Sequence, residues 1–233
     1  MRTQENDLGH WVHPAEGSHP GVVMVPDVWG VSDHYRDLAG RLAGAGFAVL
    51  VADPYRKTGH PELTDVESAL RWIRELPDPV VLDTLREAVD ALGAHPGVKG
   101  RKVGITGFCM GGMYALLAAC TGRGLSACAP FYGMLRYEAG VEPARKPRQP
   151  LDALADLSCP LLGLYGAEDH LIPLSQVREM EERLAGGRQP WEVVVYTGAG
   201  HAFMNETRPA MHRPEAAADA WARLAPFLHR HLD

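Results

Sequence analysis

The chain has 233 residues, 46% of them hydrophobic, and a formal net charge of -6 at pH 7. A length of this order suits one α/β domain with a sizeable core, so we expect residues 1–233 to form a single domain. The acidic balance argues against nucleic acid or an anionic membrane as a partner, because both require a basic face. No segment has signal-peptide character and no apolar run approaches the ~18 residues of a membrane span, which predicts a cytoplasmic location.

Apolar segments rich in β-branched residues alternate with amphipathic helical patterns along the chain. The predicted strands are 21–26, 47–52, 101–106, 127–132, 160–165 and 191–196. The predicted helices are 33–45, 65–76, 80–95, 110–121, 174–185 and 215–231. Apolar strands separated by helices predict an α/β fold with a mostly parallel sheet covered on both faces. The longer loops are 54–63 and 135–151, and we expect the second to run over the surface near the strand ends.

The segment GFCMGG, residues 107–112, joins a predicted strand to a predicted helix. It has the G-x-S-x-G pattern of a nucleophile elbow, with Cys109 in place of serine. The glycines allow close backbone contacts at a sharp turn, and the partial positive charge of the helix N-terminus favours a thiolate. The N–H of Met110 would then point towards a developing oxyanion. The alternative is a glycine-rich turn that carries a buried cysteine.

The other three cysteines, Cys120, Cys128 and Cys159, have no partner at zinc-site spacing and form no C-x-x-C pair. We expect them to be small buried hydrophobic residues with free thiols in a reducing compartment. No resolving cysteine lies near Cys109 in the sequence, which disfavours a redox role for its thiol.

An acid and a histidine follow two later strands. In α/β-hydrolases the order along the chain is nucleophile, acid, histidine. The segment GAEDHLIP follows strand 160–165 and offers Asp169, with Glu168 as the alternative, although an aspartate there is also common in turns. The segment GAGHAF follows the last strand and offers His201. The histidines that we expect to be solvated in tails, loops or an exposed helix end are His10, His13, His19, His60, His212, His229 and His231.

Five segments resemble the dienelactone hydrolase (carboxymethylenebutenolidase) family of the α/β-hydrolase superfamily. They read VVMVPDVWGVSDHYRDLAGRLAGAGFAVLVADPY, VGITGFCMGGMYAL, FYG, GAEDHLIP and GAGHAF, and they cover most of the chain from Gly21 to His201. The resemblance implies an α/β-hydrolase fold and a catalytic triad of Cys109, His201 and Asp169. It also implies that no metal or organic cofactor takes part.

The resemblance also implies an acidic residue after the first predicted strand. The family usually has glutamate there, which holds the resting thiol protonated and moves aside when substrate binds. This chain has Asp27, which is one methylene shorter, and its alternative role is to satisfy local backbone N–H groups in a turn. The N–H of Val28 would be the second oxyanion donor, beside that of Met110.

The chain departs from the family at the arginines that bind the substrate carboxylate. One family position, shortly after the histidine, holds Asn205, and the arginine expected within 54–76 has no clear counterpart. Arg56, Arg71 and Arg208 are possible substitutes, but each is expected to be a surface residue. The resemblance therefore implies the fold and the triad more specifically than the substrate.

These observations predict a cysteine hydrolase that cleaves small esters or lactones through an acyl-enzyme. The apolar candidates for its pocket are Trp29, Tyr132 and Phe203, together with Phe108 and Met134, although core packing is an alternative for at least two of them. Other hypotheses are a non-catalytic binding protein of the same fold and an acyltransferase that uses the same triad. We expect a small-molecule substrate and a monomer or weak homodimer.

Overall fold

A computed structural model describes residues 1–121 and 124–233. The strands are β1 (Arg2–Asn6), β2 (Gly9–His13), β3 (His19–Val25), β4 (Ala48–Ala52), β5 (Val98–Phe108), β6 (Leu125–Phe131), β7 (Leu161–Gly166) and β8 (Trp191–Tyr196). The helices are α1 (Asp33–Gly44), α2 (Val66–Glu75), α3 (Asp78–Ala94), α4 (Met110–Ala119), α5 (Pro150–Ala153), α6 (Leu174–Ala185) and α7 (Pro214–Leu232). A 3-10 turn at Leu154–Asp156 follows α5.

The strands form one sheet in the order β1-β2-β4-β3-β5-β6-β7-β8. All pairings from β4 to β8 are parallel, while β1 and β2 join the edge next to β4 as antiparallel strands. The parallel strands read as apolar runs because both of their faces are covered. The predicted mostly parallel sheet is confirmed.

Helices cover both faces of this sheet. Gly104 pairs with Val22, the neighbour of Gly21, so Gly21 and Gly104 face opposite sides. A Cβ atom at Gly21 would meet Leu92 of α3, and one at Gly104 would meet Leu232 of α7. Helices α3 and α7 therefore lie on opposite faces, as the alternation of strands and helices predicts.

The N-terminal hairpin was not predicted from the sequence. His10 and His13 lie in β2 and His19 begins β3, so the expectation that they belong to tails or loops is wrong. His10 is buried, and its Nδ1 lies 2.8 Å from Oε1 of Glu5 on β1. The hairpin escapes detection because β1 has no apolar residue and is exposed throughout, which leaves no hydrophobic alternation to recognise.

The segment 135–151 is also more buried than predicted. Leu135, Tyr137 and Lys146 are all buried, and α5 begins at Pro150. The sequence suggested a surface loop because the segment is rich in charged residues and proline. The burial of Lys146 depends on a partner from α3, which sequence spacing does not show.

Glycines at the turn between β5 and α4 allow backbones to touch. A Cβ atom at Gly111 would lie 2.2 Å from the carbonyl oxygen of Val25 and 2.3 Å from that of Pro26. A Cβ atom at Gly107 would lie 2.2 Å from the carbonyl oxygen of Gly111. Only glycine fits such contacts, so this turn is pressed directly against the end of β3.

Replacing Gly111 with Ala should lower the free energy of unfolding by about 3 kcal/mol or more, since two backbone carbonyls block the new methyl group. The matched control is Gly40→Ala in α1, where no atom lies within 4 Å of the added Cβ. That control should gain roughly 0.5–1 kcal/mol, because alanine favours a helix over glycine. Urea unfolding of both variants measures the contrast, and similar small effects would contradict this packing.

Candidate active site

Cys109 occupies the turn between β5 and α4. Its backbone has φ 56° and ψ -118°, a conformation that non-glycine residues rarely adopt. Its N–H donates a hydrogen bond to the carbonyl oxygen of Phe131 on β6 at 3.1 Å, which fixes the turn to the neighbouring strand. The side chain is half-buried. The strained turn thus places a thiol at the carboxyl end of the sheet, in front of the first N–H groups of α4.

Asp169 and His201 meet at the same end of the sheet. Asp169 follows β7, and its Oδ2 accepts a hydrogen bond from Nδ1 of His201 at 2.8 Å. Its Oδ1 accepts from the backbone N–H groups of Leu171 at 2.9 Å and Ile172 at 3.2 Å. The carboxylate is fully buried, whereas the alternative acid, Glu168, is exposed. Of the two candidates, the structure brings Asp169 and not Glu168 to the histidine.

The imidazole of His201 interacts with both Asp169 and Cys109. Burial lowers its pKa, but the charge of Cys109 and the hydrogen bond to Asp169 outweigh burial, and the pKa is raised to about 10. Nε2 is buried and has no acceptor in hydrogen-bond geometry among residues 1–121 and 124–233. Asp169 thus orients the ring through Nδ1. Nε2 makes no hydrogen bond with any of the described residues.

The aromatic candidates differ in how close they lie to the imidazole. The ring centroid of Tyr132 lies 5.2 Å from that of His201 in an edge-on arrangement, and 5.2 Å from that of Phe203. Tyr132 and Phe203 are fully buried. Phe108 is also fully buried and stacks on Phe131 at 4.7 Å. Of these aromatic candidates, Tyr132 contacts the histidine ring, whereas Phe108 packs in the core.

Asp27 lies in the loop after β3. Its Oδ1 accepts a hydrogen bond from the N–H of Trp29 at 2.9 Å, so the turn role foreseen for this residue is present. Burial raises the pKa of Asp27, although the Trp29 N–H, Tyr35, Arg208 and His201 all act to lower it. Raising the pKa of a carboxyl brings its protonation nearer to neutral pH.

Asp27 and Cys109 act on the same two phenols. Burial, and then the negative charges of Asp27 and Cys109, raise the pKa of Tyr132 well above its usual value. The same three causes, with Tyr132 itself, raise the pKa of Tyr35. Both residues therefore raise the pKa of the same two buried tyrosines.

Tyr55 links the two residues expected to provide oxyanion donors. Its hydroxyl donates to the carbonyl oxygen of Val28 at 2.6 Å and lies 3.4 Å from the sulfur of Met110. Sequence reasoning missed Tyr55, whose one signal was its position just after β4. The Met110 N–H is the first of α4, so no carbonyl of the preceding helical turn can accept it.

The candidate arginines separate into two groups. Arg56 is paired with Asp7 and Glu87, and Arg71 with Glu67 on its own helix, so both have the surface role expected of them. The guanidinium of Arg208 instead lies 5.1 Å from the ring centroid of Trp29, and its charge acts on Asp27. Arg208 thus differs from the other two candidates, because it packs against the exposed ring of Trp29 and its charge reaches Asp27.

Asn205, at the family's arginine position, is buried in a local turn. Its Oδ1 accepts hydrogen bonds from the N–H of Thr207 at 3.0 Å and from the Thr207 hydroxyl at 2.6 Å. The turn carries the chain on to Arg208.

Within residues 1–121 and 124–233, no group of three or more His, Cys, Asp or Glu side chains is arranged to hold a metal ion. None of the described helices combines the length and apolar character needed to span a bilayer.

The fold is that of an α/β-hydrolase. It has the sheet order, the strained turn after β5, and the loops after β5, β7 and β8 that carry Cys109, Asp169 and His201. The family model "Dienelactone hydrolase family" matches residues 9–232. The chain belongs to the dienelactone hydrolase family, and it is a hydrolase that acts on carboxylic ester bonds, lactones included.

Relatives and solved structures agree with this assignment. A Bradyrhizobium sp. protein called "Probable 2-oxo-3-(5-oxofuran-2-ylidene)propanoate lactonase" is 35% identical over 229 residues, which are 98% of this chain and 91% of that protein. The carboxymethylenebutenolidase of Rhodococcus opacus is 31% identical over 234 residues, 99% of this chain and 90% of that one. The crystal structure of a candidate dienelactone hydrolase from Klebsiella pneumoniae superposes with a TM-score of 0.87 at 33% identity, covering 95% of this chain and 92% of the other.

Replacing Asp169 with Asn should destabilise the protein most at low pH. The pKa of His201 is raised from 6.5 to about 10, so its contribution to stability is complete below pH 6.5 and is lost as pH rises through about 10. The free energy of unfolding should fall by roughly 1.5–3 kcal/mol near pH 6, where the charged imidazole loses its carboxylate, and by less near pH 10. Urea unfolding across this range measures the difference.

The control for this experiment is Glu168→Gln, which changes the exposed neighbouring carboxylate and should have little effect at any pH. A difference between wild type and Asp169→Asn that stays constant or grows with rising pH would contradict the assignment.

Proposed function

We propose that the protein hydrolyses small esters or lactones with Cys109 as nucleophile, His201 as base and Asp169 as the group that orients the imidazole. The observation that carries this proposal is the bonding of His201, whose Nδ1 is held by the buried carboxylate of Asp169 at 2.8 Å. Cys109 is also the first of the groups that raise the pKa of this imidazole. A histidine oriented through one nitrogen can exchange a proton through the other.

In the acylation half of the reaction, the proton of the Cys109 thiol passes to Nε2 of His201, and the resulting thiolate attacks the carbonyl carbon of the substrate. The carbonyl π bond opens to form an oxyanion, and its collapse breaks the bond to the leaving oxygen. That oxygen takes a proton from Nε2 of His201 and departs as the alcohol, or stays attached to the acyl chain in a lactone. The product of this half-reaction is a thioester on Cys109.

In the deacylation half, His201 removes a proton from water as the water attacks the thioester carbon. Collapse of the second oxyanion breaks the carbon–sulfur bond and returns the thiolate of Cys109. The carboxylic acid leaves, and the imidazolium and thiolate restore the starting pair. Asp169 keeps Nδ1 protonated through both halves.

The oxyanion would be bound by the backbone N–H groups of Met110 and Val28. Such preorganised donors each contribute about 2.7–4 kcal/mol to lowering the barrier in well-studied hydrolases. The hydrogen bond from the Tyr55 hydroxyl to the Val28 carbonyl, at 2.6 Å, supports this role by fixing the orientation of the loop after β3. Trp29 would form the exposed apolar part of the substrate pocket, and the buried rings of Tyr132 and Phe203 would support the pocket from the core.

Asp27 would control the resting state of the thiol. The residue is 7% exposed, so a carboxylate charge there is poorly screened by water and would disfavour a nearby thiolate. Entry of substrate would relieve this effect by changing the environment of the carboxyl. In this scheme Asp27 modulates the thiol and takes no part in bond making.

Replacing Cys109 with Ala should lower kcat/KM for p-nitrophenyl acetate by at least about 10³-fold, because the attacking atom is lost. Cys159→Ala, which removes a buried thiol after the end of α5, is the matched control and should retain activity. Iodoacetamide should inactivate the wild type and the control alike. Activity that survives Cys109→Ala would contradict the nucleophile assignment.

The same assay distinguishes two other hypotheses. A non-catalytic binding protein would show no turnover that depends on Cys109. An acyltransferase would form a new ester or thioester when an alcohol or thiol is added, whereas a hydrolase continues to release the free acid. The proposal requires the free acid to be the main product.

Replacing Asp27 with Asn should accelerate alkylation of Cys109 by iodoacetamide at neutral pH several-fold, because the amide removes the negative charge yet can still accept the Trp29 N–H. Asp33→Ala, which alters a fully exposed carboxylate at the start of α1, is the control. The rate of alkylation, followed by loss of free thiol, is the measurement. An unchanged rate of alkylation in Asp27→Asn would show that Asp27 does not control the reactivity of the Cys109 thiol.

A further inference from the structure

A cleft lies between α2 and the chain that follows β6. We call it the α2 cleft, and its apolar lining is formed by Leu70, Ile73, Met134, Tyr137 and Leu171. Its volume is about 160 Å³. An apolar cavity of about 150 Å³ is large enough to bind benzene, so the α2 cleft could hold a group of phenyl size.

Two lining residues join the α2 cleft to the candidate active site. Met134 comes two residues after Tyr132, whose ring lies 5.2 Å from that of His201. Leu171 donates its backbone N–H to Oδ1 of Asp169 at 2.9 Å. The cleft and the candidate active site therefore share two connections, the loops after β6 and β7.

Charged residues also border the α2 cleft. The guanidinium of Arg136 donates to both carboxylate oxygens of Glu179, at 2.5 and 2.6 Å. Arg74 and Glu138 are exposed to solvent. Because Arg136 is already paired and the other two reach water, the buried part of the lining is the apolar part.

A buried ion pair lies behind the wall of this cleft. Lys146 and Asp78 are 4% and 2% exposed, and Nζ of Lys146 lies 2.6 Å from Oδ1 of Asp78. The hydroxyl groups of Tyr114 and Tyr137 donate to the same carboxylate at 2.9 and 2.7 Å. The ammonium also lies 4.9 Å from the ring centroid of Tyr137. A charged pair is stable in such a place only when it is hydrogen-bonded as fully as this one.

This ion pair connects both walls of the α2 cleft. Asp78 begins α3, three residues after α2 ends, and its N–H donates to the carbonyl of Arg145 at 2.8 Å. Tyr137 belongs to the cleft wall, and its hydroxyl is held by Asp78. The cluster therefore ties segment 134–146 to the start of α3, and the start of α3 sets where α2 ends.

We propose that the α2 cleft binds an apolar acyl group of phenyl size, and that the ion pair of Lys146 and Asp78 positions its wall. This inference rests on the proposed ester hydrolysis and names its substrate preference. Lys146 and Asp78 are positioning residues, because they act through Tyr137 and need not touch substrate. Their effect should appear in the choice of acyl group and in KM, with little change in the chemistry at Cys109.

The test compares p-nitrophenyl phenylacetate with p-nitrophenyl acetate, which share a leaving group and differ only in the acyl group. The wild type should prefer phenylacetate in kcat/KM by about tenfold or more, mainly through a lower KM, because the ring gains an apolar site. Leu70→Trp, which fills the cleft, should reduce the phenylacetate value at least about tenfold more than the acetate value.

The positioning role is tested with Asp78→Asn/Lys146→Met, which removes both charges and leaves neither ion alone. This double variant should raise KM for phenylacetate several-fold more than KM for acetate. Tyr137→Phe, which removes one hydroxyl, should also raise KM for phenylacetate more than KM for acetate, but by a smaller factor. If circular dichroism shows that the double variant is unfolded, Tyr137→Phe decides the question. Leu228→Ala, in α7 on the opposite face of the sheet, is the control for general destabilisation and should leave the preference unchanged.

The outcomes separate this inference from the proposed function. Loss of acetate hydrolysis in Cys109→Ala, with no preference for phenylacetate in the wild type and no selective effect of Leu70→Trp, would overturn the cleft while ester hydrolysis stands. A selective effect of Leu70→Trp with an unchanged preference in the folded double variant, or in Tyr137→Phe, would overturn the role of the ion pair.

Discussion

The close backbone contact between Gly111 and the end of β3 determines where the other site residues can lie. The turn after β5 can approach the carbonyl groups of Val25 and Pro26 only because it has no side chain at that point. This approach places the first N–H of α4 beside the loop that carries Asp27 and Val28. Backbone packing alone therefore brings the ends of β3 and β5 together. It places the thiol of Cys109 and the N–H of Met110 near the loop that carries Asp27 and Val28.

The other part of the site, Asp169 with His201, contains a buried carboxylate. Local hydrogen bonds offset the cost of removing its charge from water. Asp169 is fully buried, yet it accepts two backbone N–H groups as well as the imidazole, so its lone pairs are well satisfied. The same principle applies behind the α2 cleft, where Asp78 binds an ammonium and two hydroxyl groups. In both places a buried carboxylate holds a loop that follows a strand, and so gives a flexible connection a defined position.

Sequence patterns predicted the parallel part of the sheet because buried strands and amphipathic helices leave strong hydrophobic periods. They also singled out Cys109, Asp169 and His201, since each lies in a short segment directly after a strand. They could not find the edge hairpin, which has no apolar period in β1, nor Tyr55, which acts through a single hydroxyl. The burial of Lys146, within the loop expected at the surface, and the contact of Arg208 with Trp29 leave no sequence pattern, because Asp78 and Trp29 are remote along the chain.

The central claim is that the sulfur of Cys109 carries the acyl group during turnover. Rapid mixing with excess p-nitrophenyl phenylacetate, acid quenching and mass spectrometry of the intact and digested protein measure it most directly. We expect one phenylacetyl adduct on the peptide that contains Cys109, formed within the first turnover and absent from Cys109→Ala. An acyl group found on another residue at the rate of turnover would contradict it.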